Sequence, residues 1–400
     1  MSNSNILIVT CVFPPEPIVS ANLSFDIANE LSKNHNVTVL APFPSRPNGM
    51  RFDQFNYSNY RFVLKRLNSY ISYRSTIFSR FKESYSFGLL TRNYIKNNYR
   101  NIDIIYMNTW PLLAQFYTAY TAKKYSIPLI THIQDIYPES LSQKLPLIDT
   151  ILNFILLPID KYITSNSRSL ITISNSMKEL LVKSRNLPNE KVSVVFNWQD
   201  ESKFKINSLD EYCTKDEYFT FMFLGSLNIL ANIESLVFAF KHANIKNSRL
   251  VIAGEGPEKN NLINFIKKNN IRNVSFLSFD SNEVGKVQST SDVLIVSLTK
   301  GSSSLAFPSK IPAYMFSSRP IIAYVDIPSD IANTISKANC GWVVQSGKIE
   351  ELIQCMKNSF KVEKKELINM GISGREYADS FFSRSSNLNK IVSIIHRNLL

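Results

Sequence analysis

Two short stretches hold most of the side chains that could do chemistry. The first is Thr131-His132-Ile133-Gln134-Asp135-Ile136-Tyr137-Pro138-Glu139-Ser140, which begins inside the strand-like run Pro128–His132. An imidazole and a carboxylate stand three residues apart at the carboxyl end of a strand, within reach of one pocket. Such groups take or give a proton when held within hydrogen-bond reach of a hydroxyl. The second stretch runs from Lys300 to Lys310 and joins the apolar run Val293–Leu298 to a helix-like segment with Pro308, Ser309 and Lys310 in its first turn. A further apolar run, Pro320–Val325, completes a strand, loop, helix, strand order. Hydroxyls, lysines and the unpaired N–H groups of a helix start suit a phosphate. The same spacing also describes an ordinary βαβ crossover with a capped helix.

The elements that must position these groups alternate along the chain. Strand-like Ile6–Val12 leads through a Pro-rich loop to a helix near Ala21–Ser32, and strands follow at Val37–Leu40, Ile102–Met107, Pro128–His132, Leu170–Ser174 and Val192–Phe196. The stretch Asn197–Tyr218 is polar and without apolar periodicity, and reads as a linker. Alternation then restarts with Phe219–Leu224, a helix near Ile233–Lys241, Arg249–Ala253, a helix ending near Lys268, and strands Val274–Leu277, Val293–Leu298 and Ile321–Val325. A helical tail is expected from about Arg375. Strands alternating with helices imply parallel sheets covered on both faces. At 400 residues two domains are expected. The reading is therefore α/β, with two Rossmann-like domains facing across a cleft. They span residues 1–200 and 201–375, with 376–400 as a helix returning to the first domain. In such sheets ligands sit at the carboxyl ends of the strands.

Composition excludes several classes. The chain is 44% hydrophobic and 19% charged, enough for sizeable cores. It holds only 11 glycines and contains neither GxGxxG nor GxxxxGK(S/T), which argues against a dinucleotide dehydrogenase or a P-loop enzyme. The formal net charge of +13 points to anionic partners. Zinc-finger, RRM and homeodomain patterns are absent, so no nucleic acid is expected. Cys11, Cys213, Cys340 and Cys355 are far apart with no CxxC pair, which indicates neither a zinc site nor a disulfide framework. The run Ile6–Phe13 is short, is stopped by Pro14-Pro15 and lacks a preceding basic residue, so it reads as a buried strand rather than an export signal. No run approaches the ~18 apolar residues of a membrane span.

The stretch Tyr60–Arg100 is basic and aromatic: nine lysines and arginines from Arg61 to Arg100 meet a single acid, Glu83. A further apolar segment lies near Asp149–Ile163. Basic segments with aromatic anchors suit an anionic membrane surface, and RNA is the lesser alternative, since basic and aromatic residues also stack bases.

The segment Phe307–Ala323 resembles the donor-binding signature of nucleotide-sugar glycosyltransferases of the GT-B architecture, and within them the retaining family 4. The branch it is most similar to is the L-fucosamine transferases of O-antigen and capsule synthesis. Pro308-Ser309-Lys310, Tyr314-Met315 and Arg319-Pro320 stand in the order of that branch's signature, with Ser318 where a glycine is usual. Residues 131–140 are similar to its "H(I/V)QDLWPES" motif, and Val195–Asp200 to its "NW(x)D". The opening Phe13-Pro14-Pro15-Glu16-Pro17-Ile18 resembles "FPPEPI", although the glycines that usually follow are Val19, Ser20 and Ala21.

The resemblance assigns roles. Pro15, Glu16, Pro17, Ser20 and Glu139 fall on the acceptor side. Asp135 would orient or deprotonate the acceptor hydroxyl, and His132 would contact the donor sugar or its phosphate. Donor contacts would come from Gly225, Ser226 and Asn228 after the strand Phe219–Leu224, from Glu255 in the turn Gly254-Glu255-Gly256-Pro257, and from Lys300, Ser303, Ser304, Pro308, Ser309 and Lys310. The glycines of that turn are expected to relieve a tight bend. The chain also departs from many members of family 4. The arginine and lysine that clamp the diphosphate are replaced by apolar Ile229, Leu230 and Ala231, which leaves Lys300 and Lys310 as the cations. Two glutamates eight apart are replaced by Leu305 and Ala313.

The implied activity is transfer of a sugar, such as N-acetyl-fucosamine or a related amino-deoxyhexose, from a UDP-linked donor to a polyprenyl-linked glycan. It would proceed with retention, without cofactor or metal, on the cytoplasmic face of the inner membrane. A UDP-sugar 2-epimerase of the same fold and a catalytically silent, membrane-associated scaffold are the alternatives.

Overall fold

The computed structural model describes residues 3–46, 60–72, 76–108, 111–142, 149–204, 217–279, 283–302 and 310–399. The chain divides into two compact units: Met1–Asn197 with Asn387–Leu400, and Trp198–Ser386.

In the first unit the strands β1 Asn5–Thr10, β2 Asn36–Pro42, β3 Val63–Leu67, β4 Ile104–Asn108, β5 Leu129–Ile133, β6 Ser169–Thr172 and β7 Val192–Val194 form one parallel sheet in the order β3-β2-β1-β4-β5-β6-β7. β4 and β5 are buried at every position, as strands covered on both faces must be, and therefore read as unbroken apolar runs. The order reverses between β1 and β4, the switch point where open α/β sheets take ligands. Leu7, Val9, Ile105, Met107 and Leu129 build the core under the crossover helices. The helix Arg384–Leu399 closes this unit with its last turns: His396 Nε2 lies 2.9 Å from His35 Nε2, and Ser169 Oγ donates to Asn398 Oδ1 at 3.1 Å. Burial, with the neighbouring His396, pushes the His35 pKa down.

In the second unit β8 Phe219–Leu224, β9 Ser248–Ala253, β10 Val274–Leu277, β11 Val293–Ser297, β12 Ile321–Val325 and β13 Gly341–Gln345 run parallel in the order β10-β9-β8-β11-β12-β13, with the switch point between β8 and β11. Phe221, Phe223, Leu250, Ile252 and Ile295 lie at its core.

Strand and helix boundaries read from apolar runs lie within about two residues of those observed. Three elements differ. The basic stretch after Tyr60 holds β3 and the long helix Ile77–Asn98, which Thr76 and Ser79 cap reciprocally. The segment near Asp149 is the helix Asp149–Asn166. The tail is two helices, Lys364–Phe381 and Arg384–Leu399, rather than one beginning near Arg375. Among the described residues no helix is long and apolar enough to cross a membrane. Cys11, Cys340 and Cys355 are free thiols, and Cys213 lies outside the described residues.

Candidate functional site

The carboxyl edge of the first unit is held by side chains. In the loop after β1 the buried Glu16 carboxylate accepts the backbone N–H groups of Phe13 at 3.0 Å, Ser45 at 3.0 Å and Arg46 at 3.1 Å. It therefore braces two loops; of the other residues expected on the acceptor side, Pro15 is half-buried, Pro17 exposed, and Ser20 lies at the start of the helix Val19–Leu31. Arg66 of β3 donates to the carbonyls of Pro14 and Pro42, which pins the same loop.

Past β5, Asp135 is exposed at the strand edge. His132 is not: its ring is fully buried, with Nδ1 2.6 Å from the Tyr106 hydroxyl and Nε2 3.1 Å from Gln134 Nε2. Burial brings its pKa down to about 3, so the ring is neutral. With both nitrogens engaged, the expected donor contact has no free ring atom to make it. Glu139 is likewise committed. Arg185, whose side chain is 1% exposed, donates to both Glu139 oxygens, to Asp160 Oδ2 at 2.7 Å and to the Tyr137 carbonyl. The guanidinium thus fastens the loop after β5 to the helix Asn175–Arg185, which Ser174 caps by accepting from Met177 N–H at 3.2 Å.

The edge of the second unit is held by backbone. Gly225 ends β8 with φ +150, and Gly254 ends β9 with φ +143. A Cβ on Gly254 would fall 2.0 Å from the Gly225 carbonyl oxygen, and one on Gly256 would fall 2.2 Å from that of Leu227. Only glycine permits this approach. Asn228 spends its carboxamide oxygen capping the turn Ile229–Ala231, at 3.1 Å from Ala231 N–H, and Ser226 remains exposed beside it. Glu255 points away into an exposed pair with Lys259 and accepts from Ser278 Oγ at 3.1 Å.

Lys310 begins the helix Lys310–Phe316, and its Nζ lies 4.3 Å from the centroid of the buried Phe223 ring. A methyl group on Gly225 would stand 3.3 Å from that nitrogen. Lys310 has no acidic partner among the described residues, and burial pulls its pKa down to about 8. An ammonium that is poorly hydrated, unpaired and adjacent to a glycine turn favours an incoming anion. Lys300 instead lines an open pocket of about 700 Å³ with Asn232, Phe238, Phe265 and Tyr324, of which Gly225 and Lys310 form no part. Ser303, Ser304, Pro308 and Ser309 lie outside the described residues. So do Leu305 and the rest of the loop through residue 309.

Three structural residues carried no readable signal or an incomplete one. Tyr314, part of the signature, is fully buried; its hydroxyl accepts from Leu224 N–H at 2.8 Å and donates to Leu224 C=O at 2.9 Å, which fixes the end of β8 where the glycine turn begins. Arg319 donates to the Ser289 carbonyl and is buried, so the Arg-Pro pair serves packing. Arg185 sits alone in an amphipathic helix, and nothing in its spacing marks it. Among the described residues no three His, Cys, Asp or Glu side chains gather where they could share a metal ion.

Comparison with known proteins extends this geometry. Residues 21–203 match the profile "Glycosyltransferase Family 4", and residues 206–376 match "Glycosyl transferases group 1". The first half of the chain is thus similar to the family 4 glycosyltransferases and the second half to the group 1 glycosyltransferases. It is 30% identical over 144 residues to "Uncharacterized glycosyltransferase MJ1607" of Methanocaldococcus jannaschii, covering 33% of this chain. It is 25% identical over 258 residues to "Probable glycosyltransferase WbjE" of Pseudomonas aeruginosa, covering 61% of this chain. The matches span 37% and 62% of those relatives' own lengths. Among solved structures, Anabaena HepE in complex with UDP superposes with a TM-score of 0.73 at 15% identity, covering 98% of this chain and 100% of that one. WaaG, a glycosyltransferase involved in lipopolysaccharide biosynthesis, superposes with a TM-score of 0.69 at 15% identity, covering 98% of this chain and 99% of that one. Both likenesses establish the GT-B fold.

Proposed function

We propose that this chain transfers a sugar from a UDP-linked donor to a polyprenyl-linked glycan of surface polysaccharide. In this reading the second unit holds the donor and the first receives the acceptor. The observation that carries it is Lys310: a partly buried ammonium, without an acidic partner among the described residues, against the Gly225 turn at a sheet switch point. A charge held there in advance stabilises the departing diphosphate without reorganisation, and the backbone N–H groups of the turn add to it. Asp135, exposed at its strand end, orients the acceptor hydroxyl. The UDP bound by HepE supports the nucleotide, and the role printed for WaaG supports the polysaccharide setting. The resemblance of the segment around Lys310 to the L-fucosamine transferase signature supports an amino-deoxyhexose donor, and the resemblance to the retaining family 4 supports retention at its anomeric carbon.

The membrane side of the proposal rests on exposed apolar residues. Phe78 is 78% and Phe154 83% exposed, with Phe81, Ile151 and Ile155 near them in sequence. Crossover helices run opposite to the parallel strands, so these first turns of Ile77–Asn98 and Asp149–Asn166 lie toward the carboxyl edge, the side of Asp135. With Arg80 and Lys82 beside them, they suit an anionic lipid surface.

The test is thermal unfolding with UDP, GDP, ADP, CMP and matched sugar nucleotides. A nucleotide at about a hundred times its Kd adds about 2.7 kcal/mol of stability. Selective stabilisation by UDP, abolished in Lys310→Met, is the expected result. A flat response to every nucleotide favours the scaffold, and acceptor-free conversion of a UDP-sugar favours the epimerase.

A further inference from the structure

Tyr106, His132, Gln134 and Asn197 form one hydrogen-bonded chain, from β4 to the residue at which the backbone leaves the first unit. Asn197 Nδ2 donates to Gln134 Oε1 at 2.9 Å, Gln134 Nε2 meets His132 Nε2 at 3.1 Å, and His132 Nδ1 meets the Tyr106 hydroxyl at 2.6 Å. A carboxamide nitrogen can only donate, so His132 Nε2 accepts and the ring proton sits on Nδ1, toward Tyr106. Tyr106 and His132 are fully buried, and burial keeps the imidazole neutral across ordinary pH, so the direction of the chain is fixed. Gln134 cannot turn its amide without breaking both of its bonds. Asn197 is tied through its nitrogen, since its Oδ1 is buried with no partner among the described residues. The residue after Gln134 is Asp135.

We propose that Gln134 and Asn197 are positioning residues for the loop 134–140. Asn197, more than sixty positions away in sequence, sets the placement of Asp135 through Gln134 without touching substrate. This role rests on the transfer reading above; the hydrogen-bonded chain beneath it does not. A substitution at Asn197 removes one of the two bonds that hold the Gln134 amide and loosens the backbone leading to Asp135, which slows turnover while leaving donor affinity alone. A carboxylate at position 134 cannot donate to Nε2 and instead draws a proton onto the imidazole.

The experiment combines imidazole nitrogen NMR with transfer kinetics, His132→Asn supplying the resonance assignment. In the wild type His132 stays neutral with its proton on Nδ1 from about pH 5 to 8. Gln134→Glu brings its titration into that range and gives kcat a matching pH dependence. Asn197→Ala shifts the His132 signals, lowers kcat about tenfold and leaves the KM for the sugar nucleotide unchanged. Wild-type kcat in Asn197→Ala, or an unmoved His132 titration in Gln134→Glu, overturns the proposal. A wild type that transfers no sugar from any nucleotide sinks the transfer reading and the role given to Asp135, while the spectra still accept or reject the chain.

Discussion

The two units share one architecture but hold their carboxyl edges by different means. The first unit contains two of the chain's 11 glycines, Gly49 and Gly88, and the second contains the other nine. In the first, loops are fastened by buried side chains: Glu16 to three N–H groups, Arg185 to two carboxylates and a carbonyl, and His132 to Tyr106 and Gln134. In the second, turns are pressed backbone against backbone at Gly225, Gly254 and Gly256, and a single lysine supplies the charge. A loop held by side chains can be tuned by substitution at a distance. A loop held by glycine contact is rigid and tolerates almost no change.

Four substitutions would break or sharpen that contrast. Arg185→Met leaves Glu139 and Asp160 unpaired in a buried site and is expected to cost about 3–5 kcal/mol in urea unfolding. A cost below about 1 kcal/mol would mean that the side-chain network does not hold the first unit. Gly254→Ala drives a Cβ into the Gly225 carbonyl and should cost about 3 kcal/mol, with loss of nucleotide-induced stabilisation. If that variant unfolds like the wild type, the backbone contact is not what holds the second edge.

The third test concerns charge. The free enzyme's Lys310 has a pKa of about 8 because burial disfavours the ammonium, and a bound diphosphate favours it, raising the pKa in the complex. UDP affinity should therefore be steady below about pH 8 and fall as pH rises above it, by up to tenfold per unit, with proton uptake on binding. Calorimetry in buffers of different ionisation enthalpy measures both, and Lys310→Met should flatten the profile. The smallest effect is at Ser318, which holds φ +52 with its hydroxyl buried and without a partner among the described residues. Ser318→Gly should stabilise the second unit by about 1 kcal/mol, and a loss of stability there would assign the hydroxyl a partner in solution.

The same contrast explains what the sequence revealed. Both parallel sheets were legible, because strands covered on two faces are written as uninterrupted apolar runs. The glycine turns at 225 and 254–256 were legible too, since a glycine at a strand end has few other uses. What escaped was long-range. Glu16 looked like a ligand residue because its partners, Ser45 and Arg46, are about thirty positions away. His132 and Glu139 stood in a specific motif, yet burial by Tyr106 and pairing with Arg185 cannot be inferred from local spacing. β3 was hidden by lysine and arginine at its edge position, where a strand can remain half exposed. The loop 303–309, richest in expected donor contacts, lies outside the described residues.

The last turns of the helix Arg384–Leu399 belong to the first unit, although they follow the whole of the second in the chain. His35 meets its partner His396 across 361 positions. During synthesis the second unit can therefore assemble completely while the first still lacks a piece of its wall. A nascent chain paused before residue 387 would leave a flank of the first unit uncovered until that helix is made.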